Sequence, residues 1–218
     1  MTGAGARDAA SCCRCDSPLT EATAPGAHTG LVDHQALRRI AALLEDRNRI
    51  DGAIAALIQR PMTSGHLGEW IAAEILDIAL EKSATAAALD GYFRSGPLQQ
   101  RSVNVKWYLQ QEGTVDLTSP AMPDDYLVMT GPASAAMSSH GRTRPWRIDS
   151  VYLFDATGLR DDLLARGRKV GTASSVRTEL WAQAEIFPKA VNPRWVLTED
   201  QVEALQLFAL AAQPPTAP

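Results

Sequence analysis

The sequence predicts an α/β protein with a central mixed β-sheet flanked by helices and preceded by a helical arm. Two short, continuous apolar runs, Tyr126–Met129 and Val151–Phe154, are typical of strands that are buried on both faces. Segments before and after them repeat apolar residues at three- and four-residue steps, as amphipathic helices do. Strands that alternate with such helices favour a sheet covered on both sides.

Composition divides the chain of 218 residues into three parts. The first is rich in Ala, Gly, Ser, Thr and Pro and has few large apolar side chains, so we expect a disordered leader. The second has enough apolar residues for a single α/β domain. The expected parts are a leader (1–30), a domain (31–212) and a tail (213–218), and the domain comprises an arm (31–60), a core (65–131) and a C-terminal strand with helices (149–212).

The arm is predicted to be one amphipathic helix or a kinked pair, weakest at Asp51-Gly52 and ended by Pro61. Its apolar stripe indicates packing on the domain or formation of a homodimer, and a binding role for its arginines is the alternative. A second helix is expected over His66–Lys82. Further helices are predicted over Leu159–Arg166 and Val176–Ile186, and a last helix to about Ala212 opens with a capping box formed by Thr198 and Gln201.

Glu69 is the unusual residue of the second helix. On a helical wheel it falls among Ala72, Ala73, Leu76 and Leu80, whereas Glu74 falls on a polar stripe. A carboxylate held against apolar neighbours is costly unless it is paired or binds a cation. Glu69 is therefore a candidate site residue, although its position near the helix start also suits a simple capping role.

A hairpin is predicted next, with strands over Leu89–Phe93 and Arg101–Leu109 joined by a turn at Ser95-Gly96-Pro97. Strand alternation places Asn104, Lys106 and Tyr108 on one side and Val103, Val105 and Trp107 on the other. Asp90 lies across the turn on the partner strand. The hairpin thus brings an acid, an amide and an ammonium together.

These residues resemble the PD-(D/E)XK nuclease superfamily, in which a strand Asp is followed after a turn by (D/E)-X-K, often with a Glu from the preceding helix. The stretch from about Gly65 to Gly131 is also similar to a group of uncharacterised bacterial proteins related to that superfamily. The resemblance implies a restriction-endonuclease-like fold, with Asp90 as the first acid, Asn104-Val105-Lys106 as the triplet and Glu69 as the helix acid. Asn104 departs from the usual carboxylate, and the first core strand would come from Ser83–Ala88.

The resemblance implies Mg²⁺-dependent (or Mn²⁺-dependent) hydrolysis of phosphodiester bonds of DNA. Glu69, Asp90 and the Asn104 carbonyl would hold the ion, and Lys106 would orient a water or offset charge on the phosphate. A catalytically inactive nucleic-acid-binding or protein-interaction module with the same fold is the alternative, and Asn104 favours it. Lys106 has its own simpler interpretation as a strand lysine whose amine reaches solvent.

Nucleic-acid contact is predicted at the end of the Gly- and Ser-bearing loop from Gly131 to Pro145. Arg142, Arg144 and Arg147 would grip the phosphate backbone, and Trp146 would stack on a base. A solvated basic loop is the alternative. The formal net charge of −4 excludes a generally basic coat and confines any such contact to one face.

No apolar run approaches the roughly 18 residues of a membrane span, and no signal-peptide pattern opens the chain. All three cysteines, Cys12, Cys13 and Cys15, lie in the leader, which fits a reducing cytoplasm. With His28 they number four potential zinc ligands, but their spacing is atypical of zinc sites. We expect a cytoplasmic protein without membrane association.

Overall fold

The computed structural model describes residues 34–81, 89–117, 122–132 and 145–210. They fall into two units that divide within the first helix, one ending at Leu44 and the other beginning at Glu45. The described residues form α1 (His34–Ile58), α2 (Ser64–Leu76), α3 (Ala156–Ala165), α4 (Thr178–Ala184), α5 (Glu199–Leu210), β1 (Ile78–Leu80), β2 (Gly91–Phe93), β3 (Ser102–Tyr108), β4 (Thr114–Val115), β5 (Asp125–Thr130), β6 (Ser150–Asp155), β7 (Ser174–Ser175) and β8 (Glu185–Phe187).

Six strands form one mixed sheet in the order β1-β2-β3-β5-β6-β8, and β4 and β7 pair separately. Strands β3 and β5 run parallel, with Val103 opposite Asp125, and the other neighbours are antiparallel. Every residue of β5 is buried, as its continuous apolar run predicts. The predicted α/β class with a mixed central sheet is confirmed.

Two hydrophobic cores lie on opposite faces of the sheet. The first includes Val103, Val105 and Trp107 of β3 and packs against α2 and α5. The second includes Tyr126 and Val128 of β5 and packs against α3 and α4. Because side chains alternate along β3, Asn104 and Lys106 point away from α2 and toward the side of the second core.

The second helix ends earlier than predicted. Asp77 adopts the left-handed conformation, with φ 53° and ψ 55°, and its backbone N–H donates to the Ala73 carbonyl. Asp tolerates this conformation and so ends α2. Ile78 then opens β1 and lies opposite Phe93 of β2. The strand beside β2 is therefore β1, whereas the expected Ser83–Ala88 strand lies outside the described residues.

The hairpin prediction is confirmed, since β2 pairs antiparallel with β3. The capping box is confirmed too: the Gln201 N–H donates to Thr198 Oγ1 at 3.3 Å, and the Thr198 N–H donates to Gln201 Oε1 at 3.0 Å. The predicted helix over Val176–Ile186 is too long. It ends at Ala184, and the following residues form β8 against β6 because Ile186 and Phe187 fill the first core.

Helix α1 spans 25 residues and passes through Gly52 without a break, so of the two predicted alternatives the structure has the single helix and not the kinked pair. A Cβ at position 52 would meet nothing within 4 Å, which means that Gly52 faces open space. Among the described helices, none is long and apolar enough to cross a membrane. Cys12, Cys13, Cys15 and His28 lie outside the described residues.

Candidate functional site

Glu69 is held close to the sheet by its neighbour Gly68. A Cβ at Gly68 would lie 2.8 Å from the Cβ of Trp107, so only glycine lets α2 approach β3 so closely. Ala72, Ala73 and Leu76 are buried on the same helix. The Glu69 side chain itself is only 15% exposed. Glu69 thus lies partly buried beside the apolar helix face on which the helical wheel places it.

Arg60 is the direct partner of Glu69. Its Nη1 lies 2.5 Å from Glu69 Oε2, and its Nη2 donates to the Glu81 carbonyl at 2.9 Å. Arg60 thus ties the connection between α1 and α2 to the residue that follows β1. The sequence did not reveal this pair, because residues on either side of a helix break have no fixed periodic relation.

Asp90 directly precedes β2, at the point where the pairing of β2 with β3 ends. Its backbone N–H donates to the Val103 carbonyl at 3.0 Å, and its Oδ2 accepts the Val105 N–H at 2.7 Å. The carboxylate therefore takes the place of the next ladder bond. Beside it, a Cβ at Gly91 would lie 2.4 Å from the Ala79 carbonyl oxygen, so glycine is needed for β1 and β2 to pair this closely.

The pKa values of Glu69 and Asp90 are both raised, and that of Glu69 responds to the charge of Asp90. Burial raises the pKa of Glu69, and the nearby negative charge of Asp90 raises it further, while Arg60 and His66 lower it. Burial also raises the pKa of Asp90, against the lowering effects of the Val105 N–H, Lys106 and Arg60. Since the raising effects prevail, both anions are under-compensated by the surrounding cations.

Lys106 and Asn104 follow on β3. The ammonium of Lys106 lies close enough to Asp90 to lower its pKa, which joins this lysine to the acid pair. Asn104 is 3% exposed, and its Oδ1 has no hydrogen-bond partner among the described residues. A buried carbonyl oxygen without a partner is costly and is suited to accept a ligand.

The oxygen donors of this region fit a hard cation such as Mg²⁺ or Mn²⁺, which prefers carboxylate and amide oxygens. The described ranges contain no group of three or more His, Cys, Asp and Glu side chains that could hold a metal. A cation here would draw on Glu69 and Asp90 and would compete with Arg60 for Glu69. The unpaired Asn104 Oδ1 points to the face of β3 away from α2, so it does not share a face with Glu69.

The predicted nucleic-acid contacts are described only in part. Arg142 and Arg144 lie outside the described residues. Trp146 is 41% exposed and meets Trp107 edge to face, with ring centroids 5.6 Å apart. The Arg147 guanidinium pairs with Asp149, with Nε donating to Oδ1 at 2.6 Å. Trp146 is thus available to a ligand, whereas Arg147 already has an anionic partner.

A second charged cluster lies at the start of β5. Asp125 is fully buried and accepts Arg101 Nε at 2.6 Å and Arg194 Nη2 at 2.7 Å. Arg101 also donates to Asp155 at 3.2 Å. Sequence reasoning missed this cluster, because its members come from distant segments, and its one visible signal was an acid directly before a buried apolar run.

Comparison of the chain with models of protein families and with curated proteins finds no match.

Proposed function

We propose that this protein is a metal-dependent nuclease that hydrolyses phosphodiester bonds of DNA in the cytoplasm. The observation that carries the proposal is the coupling of two under-compensated carboxylates, Glu69 and Asp90, beside Lys106 on the next strand. Acids whose pKa values are raised by burial, next to a specific cation, are candidates for a functional site. The chain order of α2, β1, β2 and β3 supports the resemblance to the PD-(D/E)XK superfamily, whose fold we propose for this domain.

The metal ligands would be Glu69 and Asp90, whereas the Asn104 carbonyl, the third ligand that the resemblance implies, points to the face of β3 away from α2. A bound Mg²⁺ or Mn²⁺ supplies charge that polarises a phosphodiester and makes a water more acidic. The raised pKa values of both acids mean that a cation is favoured here over two unscreened anions. The site carries two negative charges rather than three, because Asn104 stands where the superfamily usually has a carboxylate.

Lys106 would act on the phosphate and the attacking water. An ammonium offsets the negative charge that develops on the phosphate oxygens in the transition state. The charge of Asp90 holds this ammonium near the acid pair, as the effect of Lys106 on the Asp90 pKa indicates. Lys106 therefore serves the reaction without being a metal ligand.

Substrate binding would involve Trp146, Arg142, Arg144 and Arg147. The exposed indole of Trp146 offers a surface on which a base can stack, an interaction worth about 1–3 kcal/mol per base. Arg147 already pairs with Asp149, so a contact with phosphate would require this arginine to interact with two anions at once. The two arginines at 142 and 144 remain predicted phosphate contacts.

The test is cleavage of plasmid and single-stranded DNA with Mg²⁺ or Mn²⁺. We expect Lys106→Ala and Glu69→Gln to lower the rate by about 100-fold or more, the order expected when a charged transition-state contact is removed. Glu74→Gln is the matched control, because Glu74 is an exposed acid on the same helix. Equal cleavage by all four proteins would refute the mechanism.

One observation favours a second function, a catalytically inactive nucleic-acid-binding or protein-interaction module. The Arg60 guanidinium already neutralises Glu69 at 2.5 Å, as a permanent counter-ion would. Under this alternative, DNA binding without cleavage is expected in any divalent metal, and Glu69→Gln leaves binding unchanged. The same plasmid experiment, with binding measured in parallel, separates the two functions.

A further inference from the structure

Helix α1 carries an apolar surface that no described residue covers. Leu37, Ile40, Leu43 and Leu44 are each more than half exposed. All residues from 34 to 50 are exposed, and Ile58 is the buried residue of the helix. A helix of this length gains little stability from its own hydrogen bonds and usually depends on packing of its apolar face. Such a surface marks an interaction site.

The spacing of this surface is that of a coiled coil. Ile40, Leu43, Arg47 and Ile50 follow one another at steps of three, four and three residues, as the a and d positions of a heptad do. With Ile40 at a and Leu43 at d, Leu37 and Leu44 occupy e positions. Arg39 and Asp46 then occupy g positions, on the other flank of the same seam.

We propose that α1 binds the α1 helix of a second copy of this chain in antiparallel orientation. Ile40 packs against the partner's Leu43, and Leu37 packs against the partner's Leu44. On the other flank, Arg39 lies beside the partner's Asp46. Each contact occurs twice by symmetry, as in an isologous dimer. Arg47 then faces the partner's Ala36, which is small enough to leave room for the arginine stem.

Charge selects this arrangement over the others. A parallel dimer in register would place Arg47 against the partner's Arg47 and Asp46 beside the partner's Asp51. An antiparallel dimer shifted by one heptad would place Asp46 against the partner's Asp46. Both alternatives bring like charges together, whereas the proposed register pairs opposite charges. Asp46 also accepts from Arg49 of its own helix at 3.1 Å and stays largely exposed.

The seam is short, so the dimer is weak. Residues 36–47 span about 18 Å of helix at 1.5 Å per residue. This interface is smaller than the standard size of about 1,600 Å² of buried surface. We expect the mass of the full chain, measured by sedimentation under reducing conditions, to rise from 23.5 kDa toward twice that value. The rise should occur as concentration increases from about 1 to 100 μM.

A charge exchange tests the orientation and register. Arg39→Glu and Asp46→Arg should each weaken the dimer about tenfold, and the double variant should restore it. Arg38→Glu and Glu45→Arg are matched controls, because these positions face away from the seam and should leave the mass unchanged. Circular dichroism checks that every variant keeps its helix content.

Two results would overturn the proposal. A mass of 23.5 kDa at every concentration means that α1 does not pair with a second copy, whatever else covers it. A double variant that dimerises no better than the single variants means that Arg39 and Asp46 do not meet across the interface.

Discussion

Two acidic clusters of this domain, one fully buried and one partly buried, differ in how well their charges are balanced. Asp125 is fully buried and contacts two arginines, Arg101 at 2.6 Å and Arg194 at 2.7 Å. Glu69 has one arginine, and a second acid close by raises its pKa. The Asp125 cluster is balanced and joins the sheet to the segment before α5. The Glu69 cluster keeps negative charge that its cations do not compensate. Burial of an acid therefore indicates function only when its partners do not neutralise it.

The largest effect is expected at the balanced cluster. Asp125→Ala leaves Arg101 and Arg194 without their fully buried anion, and breaking a buried ion pair typically costs about 3–5 kcal/mol. We expect the free energy of unfolding, measured by urea denaturation, to fall by that amount. Glu74→Gln, on an exposed helix face, is the control. A loss below about 1 kcal/mol would show that the Asp125 cluster does not stabilise the fold.

Arg60→Gln should produce the next largest effect, which is a gain in metal affinity and not a loss of stability. Removing one positive charge beside a cation site should raise Mn²⁺ affinity by at least about tenfold at pH 8, because like charges repel strongly at an effective dielectric constant near 20. Calorimetric titration measures the affinity. Lower stability without any gain in Mn²⁺ affinity would indicate that Arg60 is the permanent partner of Glu69.

The smallest effect is the pH dependence of stability. Since the pKa values of Glu69 and Asp90 are raised by folding, the folded state holds more protons than the unfolded state above about pH 4. Their contribution to stability is therefore present at low pH and is lost as pH rises through the raised pKa values. Thermal unfolding of Glu69→Gln should show a shallower fall than the wild-type protein.

Added Mg²⁺ provides the check on this pH effect. It should restore wild-type stability at pH 8 and have less effect on Glu69→Gln, because a cation replaces the bound protons as the source of compensation. Identical pH profiles for the two proteins would mean that folding does not raise the pKa of Glu69.

Much of the sheet could be predicted from local pattern. The continuous apolar runs of β5 and β6 and the turn between β2 and β3 identify the central strands. The end of α2 could not be predicted, since Ile78 continues the helical stripe and pairs with Phe93 only in the folded chain. Strand pairing depends on contacts that are distant in sequence, which overrides local propensity.

The candidate site also contains residues that could be predicted from the sequence and residues that could not. Glu69 was visible as an acid on an apolar helix face, and Asn104 and Lys106 share a strand face by alternation. Arg60 was not visible, because its contact with Glu69 crosses the break at Pro61. Nor could sequence distinguish the acid pair from the Asp125 cluster, since that difference lies in the number of cations around each carboxylate.

The most direct test of the contrast is a calorimetric titration of the wild-type chain with Mn²⁺ at pH 8, repeated with Asp90→Asn. If the acid pair is uncompensated, the wild-type chain should bind one Mn²⁺ ion. The variant should bind it about 10- to 100-fold more weakly, which is the range observed when residues around a metal site are replaced. Asn keeps an oxygen that can accept the Val105 N–H, so the fold should persist. Absence of Mn²⁺ binding by the wild-type chain, or equal binding by both proteins, would contradict a cation site at Glu69 and Asp90.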